Sequence, residues 1–278
     1  SDLKPIVLLH GYPQTSAMWH AVAPILSGSY QVICPDLRGY GASEKPNSDA
    51  RHYPYSKRAM AKDIIAMMKR LGHNKFLVGA HDRGARVAHR LGLDYPDSIE
   101  AMVLLDIAPT REMYAGTSAN FAQIYWHWFF LTQPNPLPEK MISADPEGFW
   151  KLKCLNQAHG QNPFSPEALA EYLASFKDPN TIHSTCEDYR AAASIDIEHD
   201  DADQGKKLTM PILALWAKFG VIESCFNALD LWQQRALHVE GEALAATHYM
   251  AEEIPQEVTK HMLEFFSQYP IHKKETAQ

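Results

Sequence analysis

The sequence contains no apolar run approaching the ~18 residues that a membrane-spanning helix needs. Its opening, "SDLKPIVLLHGYP", is too short and too broken by turn residues for a secretory signal. Basic residues are in deficit, with 26 Lys and Arg against 33 Asp and Glu and a formal charge of −7. Binding to a phosphate backbone rests on a net basic surface, so nucleic acid is excluded as a partner. An anionic small molecule would have to be attracted by a local cluster of cations. Cysteines are few, and Cys34, Cys154, Cys186 and Cys225 show neither a CxxC nor a metal-ligand spacing, which argues for reduced, packed thiols. These absences lead to the expectation of a cytoplasmic protein that neither crosses nor binds a membrane. Repeats and low-complexity segments are also lacking, and the terminal "HKKETAQ" reads as a frayed tail.

What is present suits one sizeable domain with an insertion: 278 residues, 46% of them hydrophobic, are enough for a substantial core. Short, continuously apolar runs occur at Pro5 to His10, Tyr30 to Pro35, Asn74 to Ala80 and Ile99 to Asp106. Continuous hydrophobicity marks strands covered on both faces, and the helical patterns between them, Ser56 to Leu71 and Gly84 to Tyr95, make a βαβ succession with a parallel sheet. From Pro109 to about Asp203 this rhythm stops. The segment is rich in aromatics and prolines and reads as a helical insertion. The strand pattern resumes at Met210 to Ala217, followed by a helix at Phe226 to Arg235, a weak edge strand near Leu237 and a final helix from Pro255 to Gln268. The expected fold is α/β, a mainly parallel sheet flanked by helices, with residues 1–108 and 204–278 as core and 109–203 as a helical cap or lid.

Ligands of open parallel sheets bind beyond the carboxyl ends of the strands, so the residues after each strand are where chemistry is expected. They are polar here: His10-Gly11-Tyr12-Pro13, Asp36-Leu37-Arg38-Gly39, His81-Asp82-Arg83-Gly84 and Asp106. Ala80-His81-Asp82-Arg83-Gly84 has the small-x-nucleophile-x-small form of a nucleophile elbow, in which a tight strand-to-helix turn lifts the central side chain above the sheet. By itself this pattern leaves Asp82 open as a helix cap, a salt-bridge partner or a nucleophile. Two other features bear on the choice. "HGYP" supplies a loop whose N–H groups suit an oxyanion hole, and "ATHYMAEE" places His248 late in the chain, where an activating base belongs. The strand after the insertion is followed by no aspartate, only by Glu223 well past its end, which leaves Asp106 as the acid that orients His248.

Those residues carry a family resemblance. "LLHGYPQT", "PDLRGYGASEKP", "HDRGARVAHRLGLDYP", "LLDIAPT", "WHWFFLTQP", "CEDYRAAASID" and "THYMAEE" occur in order over nearly the whole chain. Together they resemble the haloacid dehalogenases of the α/β-hydrolase superfamily, and among them the fluoroacetate dehalogenase group. The chain departs from that pattern at Ala80 and Thr247, where the family favours glycine, and the family has two further strands ahead of the first one here. The resemblance implies an α/β-hydrolase fold, a small haloacid as substrate, no cofactor and no metal, and it admits a homodimer. It also implies halide binding by His127, Trp128 and Tyr189, whose side chains can all donate a hydrogen bond. Trp126 is expected to be core.

The chemistry follows from the side chains. A carboxylate at Asp82 can displace halide from a saturated carbon and leave an ester on the enzyme. His248, polarised by Asp106, then activates water against that ester while the backbone N–H groups of Tyr12 and Arg83 hold the oxyanion. Cations at a helix N-terminus oppose the macrodipole by ~0.3–1 kcal/mol each, so Arg83 and Arg86 suggest a compensating use, bidentate binding of a substrate carboxylate. A salt bridge to a neighbouring carboxylate is the plainer alternative for both. His81 and Arg90 are expected to be structural. An epoxide hydrolase shares the aspartate and histidine but needs paired lid tyrosines and no carboxylate clamp. A binding protein of this fold without turnover is a further alternative, against which the complete Asp82, Asp106 and His248 set argues.

Overall fold

The computed structural model describes residues 3–269, so the expected frayed tail lies outside the described residues. Six strands form one sheet in the order β2-β1-β3-β4-β5-β6, and every pairing is parallel. They are β1 (Lys4–Leu9), β2 (Tyr30–Ile33), β3 (Phe76–His81), β4 (Ile99–Leu105), β5 (Ile212–Ala217) and β6 (Val239–Leu244). β1, β3 and β4 are buried almost throughout, as unbroken apolar runs require when helices cover both faces. β6 alternates instead, and Glu240 and Glu242 point outward from an edge. That edge strand starts at Val239, two residues beyond the expected position. Leu237 is 58% exposed and cannot contribute to the sheet face.

The topology decides where a ligand can bind. The chain runs from β1 outward to β2 and returns to β3 on the other side of β1, so strand order reverses at the β1/β3 boundary and opens a crevice there. Register aligns Leu9 with Ala80 and His81 with Leu105. The loops that leave β1, β3 and β4 therefore start side by side at one end of the sheet.

Between β4 and β5 lie eight helices and no strand, from Thr110 to Ala202. The prolines that break any strand pattern here open helices instead. Pro146, Pro166 and Pro179 each occupy the first helical turn, where no N–H is needed. The residue before each, Asp145, Ser165 or Asp178, caps the helix by accepting a backbone N–H from Gly148, Ala168 or Asn180. Among the described residues no helix is long and apolar enough to cross a membrane.

Several ionisable groups are buried in their neutral form, which sets the pH response. Burial, reinforced by His248, lowers the His81 pKa to about 4, and burial next to Arg90 lowers that of His89 to about 3. Burial also lowers His10 and His127. In the unfolded chain these groups bind a proton near pH 6.5, so their contribution is complete above that pH and is lost as pH falls. Burial raises Glu252 to about 8 and Asp200 to about 6, and these two act in the opposite sense. The four histidines outnumber the two acids, so Tm is expected to drop by roughly 5–10 °C between pH 6.5 and 5. A scanning-calorimetry series checks this. A Tm flat or rising on acidification would mean that these histidines are not held neutral.

Candidate active site

Asp82 sits where β3 turns into helix Asp82–Asp94, with φ +44°, a left-handed conformation that L-residues adopt only when the surroundings impose it. The imposing contacts are tight. A Cβ at Gly84 would come within 2.5 Å of the His10 and Leu9 carbonyl oxygens, and one at Gly11 within 2.6 Å of the Asp82 Cβ. Both positions need glycine for the β1 loop and the elbow to interlock, and the Gly84 N–H donates to the His10 carbonyl at 2.9 Å. The Tyr12 N–H donates to Asp82 Oδ2 at 3.0 Å. The Arg83 N–H lies in the first helical turn, where no intrahelical carbonyl reaches it. These two amides are the expected oxyanion donors, and one already rests on the carboxylate. Burial alone would raise the Asp82 pKa, but His248, His81, Arg86 and Arg83 outweigh it and hold the carboxyl well below the usual range. The carboxylate is only 4% exposed and its Oδ1 accepts no hydrogen bond, so it is largely desolvated.

His248 and Asp106 are joined. His248 Nδ1 lies 2.6 Å from Asp106 Oδ2, so the carboxylate fixes the Nδ1–H tautomer and leaves Nε2 to accept a proton. Asp106 has φ +50° and is pinned by the Ala217 N–H, which donates to its Oδ1 at 2.9 Å across from β5. Glu223 is engaged elsewhere, accepting from the Trp216 indole at 2.5 Å. His81 points away from the nucleophile, with Nε2 2.9 Å from the His248 carbonyl.

The two arginines part company. Arg83 turns its fork to Asp188 of helix Pro179–Ala192, with Nε at 2.9 Å and Nη2 at 2.5 Å from the carboxylate, so only Nη1 remains without a partner. Lys57 also donates to Asp188, as does the Tyr40 hydroxyl at 2.7 Å. Of the two arginines expected to hold a substrate carboxylate, Arg83, at 0% exposure, thus has its charge met by a counter-ion, Asp188. Arg86 has none. It donates to Thr110 Oγ1 at 2.8 Å and the Ala108 carbonyl at 3.2 Å, and its Nε has no partner. Arg90 pairs with Asp203 at 2.6 Å and is structural.

His127, Trp128 and Tyr189 come together with Tyr12. The Tyr12 ring centroid lies 5.2 Å from Tyr189 and 6.1 Å from His127, and Trp128 stands 6.3 Å from Tyr189. Arg83 lies over the Tyr189 ring at 4.2 Å and Arg86 over Trp128 at 4.6 Å. Trp128 Nε1 and the Tyr12 and Tyr189 hydroxyls are buried without partners. Buried donors normally find partners, so three unpaired ones in a single aromatic cluster are unusual. Trp126 is not core: it is 38% exposed and packs at the rim on Phe130 and Phe149. Two residues along the same short helix, Trp128 takes the inward face instead.

Three contributors carried no signal in the sequence. Asp188 lies within "CEDYR", but nothing in the chain pairs it with Arg83 across 105 positions. Glu253 accepts the Thr247 N–H at 2.8 Å, the Thr247 hydroxyl and the Tyr249 N–H at 3.1 Å, and so bridles the loop on both sides of His248. Thr247, a departure from the family's glycine, thus gains a bond that holds the loop. Lys153 reads as an ordinary helix-surface lysine yet is 3% exposed. A cavity of about 260 Å³, lined by Tyr125, Gln157, His159, Phe219 and Gly220, reaches His248 from outside.

Comparison with known proteins agrees with this architecture. The alpha/beta hydrolase fold family matches residues 4–234. The chain is 42% identical to the fluoroacetate dehalogenase of Burkholderia sp over 94% of its length and 86% of that protein's. It is 35% identical to the soluble epoxide hydrolase of Corynebacterium sp. (strain C12), over 95% of this chain and 90% of that one. The crystal structure of ALR0039 from Nostoc sp PCC 7120 superposes with a TM-score of 0.93 at 48% identity, covering 95% of this chain and 91% of that one. The six-stranded parallel sheet, the strained elbow after β3 and these relatives lead to one conclusion: the chain belongs to the α/β-hydrolase family.

Proposed function

We propose that the protein is a hydrolytic haloacetate dehalogenase, with fluoroacetate among its substrates, and that residues 110–202 act as its lid. Asp82 Oδ1 attacks the halogen-bearing carbon; a carbon–oxygen bond forms, the carbon–halogen bond breaks and its electron pair leaves with the halide. His248 Nε2 then takes a proton from water, the hydroxide adds to the Asp82 carboxyl carbon, and the oxyanion rests on the Tyr12 and Arg83 N–H groups. Collapse breaks the ester carbon–oxygen bond, the protonated His248 returns its proton to the departing glycolate oxygen, and the Asp82 carboxyl loses the remaining proton of the water as it ionises again. Arg86, with Nη1 of Arg83, holds the substrate carboxylate. His127, Trp128 and Tyr189 receive the halide, His127 as a neutral ring because burial and Lys153 hold its pKa down.

The observation that carries this reading is Arg86, a buried guanidinium one helical turn beyond Asp82 that among the described residues has no carboxylate partner. A neutral epoxide gives such a cation nothing to bind, whereas a substrate carboxylate completes it. One observation favours the epoxide reading: the unpartnered Tyr189 hydroxyl could protonate an epoxide oxygen, and an epoxide hydrolase stands among the relatives. Halide release from fluoro-, chloro- and bromoacetate, measured beside diol formation from styrene oxide, separates the two. Turnover of the epoxide without halide release would overturn the proposal.

A ratio tests the leaving-group pocket. Fluoride is small and strongly hydrated, so it gains more from directed donors than bromide does. Trp128→Phe or Tyr189→Phe should therefore cost about 2.7–4 kcal/mol in the fluoroacetate transition state, and clearly less with bromoacetate. An equal fall on both substrates, measured as initial halide release, would mean that these side chains only shape the pocket.

A further inference from the structure

A second buried cation has no counter-ion. Lys153, on helix Pro146–Gln157, is 3% exposed, and among the described residues no carboxylate pairs with it. Its ammonium donates to the Tyr12 carbonyl at 3.3 Å and the Tyr249 hydroxyl at 3.4 Å, both long, and lies 4.8 Å from the Tyr12 ring centroid. An ammonium carries three donors, and two long bonds with the Tyr12 and, at 5.9 Å, the Tyr249 ring faces leave it short of what water would provide. The Tyr249 hydroxyl donates onward to Gln157 Oε1 at 2.9 Å, one helical turn beyond Lys153. Gln157 lines the cavity that reaches His248, and the exposed His159 and Lys218 stand at the same cavity. Lys153 thus stands one helical turn from a residue of that cavity, with its ammonium on the same Tyr12 loop whose N–H touches Asp82.

We propose that Lys153 is a specificity-determining cation of the site: it offers the incoming acid a second charge besides that of Arg86 and so selects anionic over neutral substrates. This rests on the dehalogenase reading, which it deepens by assigning acid selectivity to a residue on the lid. Charge complementarity supports it. Arg83 and Lys57 are met by Asp188, whereas among the described residues neither Arg86 nor Lys153 has a carboxylate partner, and an anionic substrate supplies the missing charge. Burial lowers the Lys153 pKa, with Cys154 and Asp82 opposing it, and burial together with Lys153 lowers that of His127.

Lys153→Met and Lys153→Gln remove the charge, the second retaining a donor for the Tyr12 carbonyl, and Lys153→Arg restores the charge. The ratio of kcat/KM for chloroacetate to that for neutral chloroacetamide is expected to fall roughly ten- to hundred-fold in both uncharged variants and to recover in the arginine variant. A role confined to holding the Tyr12 loop would lower both substrates together, and an unchanged ratio would overturn the inference. A second arm keeps the two proposals apart. If the unaltered protein released no halide from any haloacetate, the dehalogenase reading would fail. The Lys153 inference would then be decided by calorimetric binding of glycolate, with equal affinity in the unaltered protein and Lys153→Gln overturning it.

Discussion

His248→Asn is expected to accumulate a carboxymethyl ester on Asp82 when incubated with chloroacetate, while steady-state turnover falls by roughly 10²–10⁴-fold or more. Displacement needs only an ionised Asp82; replacing His248 removes the largest influence holding that carboxyl down against burial, while His81, Arg86 and Arg83 still favour the charged form. Hydrolysis needs Nε2 of a ring whose Nδ1–H is fixed on Asp106, and asparagine offers no such base. Halide release should therefore show a burst of one equivalent per site, followed by near silence. Peptide mapping by mass spectrometry locates the adduct. A burst with an unmodified Asp82 would place the nucleophile elsewhere.

The second large effect divides two arginines that the sequence treats alike. Arg86→Met should lower kcat/KM on chloroacetate by roughly 30- to 1,000-fold, the ~2–5 kcal/mol of a lost buried charge contact. Its Tm should hold or rise, because the substitution removes an unpaired buried cation and returns apolar volume. Arg83→Met should behave in the opposite way. It strands the Asp188 carboxylate at 0% exposure with Lys57 and Tyr40 as remaining partners, and Tm should fall by roughly 5–15 °C. Thermal melts beside initial rates distinguish the two. A stable Arg83→Met with selective loss of acid substrates would return Arg83 to the role of principal anchor.

The fold was legible because its signals are local. β1, β3 and β4 are unbroken apolar runs, and the prolines of residues 110–202 made any strand there implausible before their place at helix starts was known. β6 was blurred because an edge strand needs to hide only one side, and Glu240 and Glu242 interrupt its pattern. Asp82, Asp106 and His248 were legible because each follows a strand or precedes the last helix in a sheet whose ends must meet. What escaped were pairings between distant segments. Asp188 meets Arg83, Glu253 secures the His248 loop, and Lys153 turns inward from helix Pro146–Gln157. A charged residue on a helix reads as a solvated face until tertiary packing covers it. The halide positions rested on the family resemblance, since an aromatic cluster such as "YWHWFF" reads by itself as core.

The central claim is that water attacks Asp82 and not the substrate carbon. A single turnover of chloroacetate by excess enzyme in H2 18O tests it directly. The account predicts that the first glycolate released carries unlabelled oxygen taken from Asp82, and that 18O appears in the Asp82 peptide. Labelled glycolate together with an unlabelled Asp82 in that first turnover would contradict it.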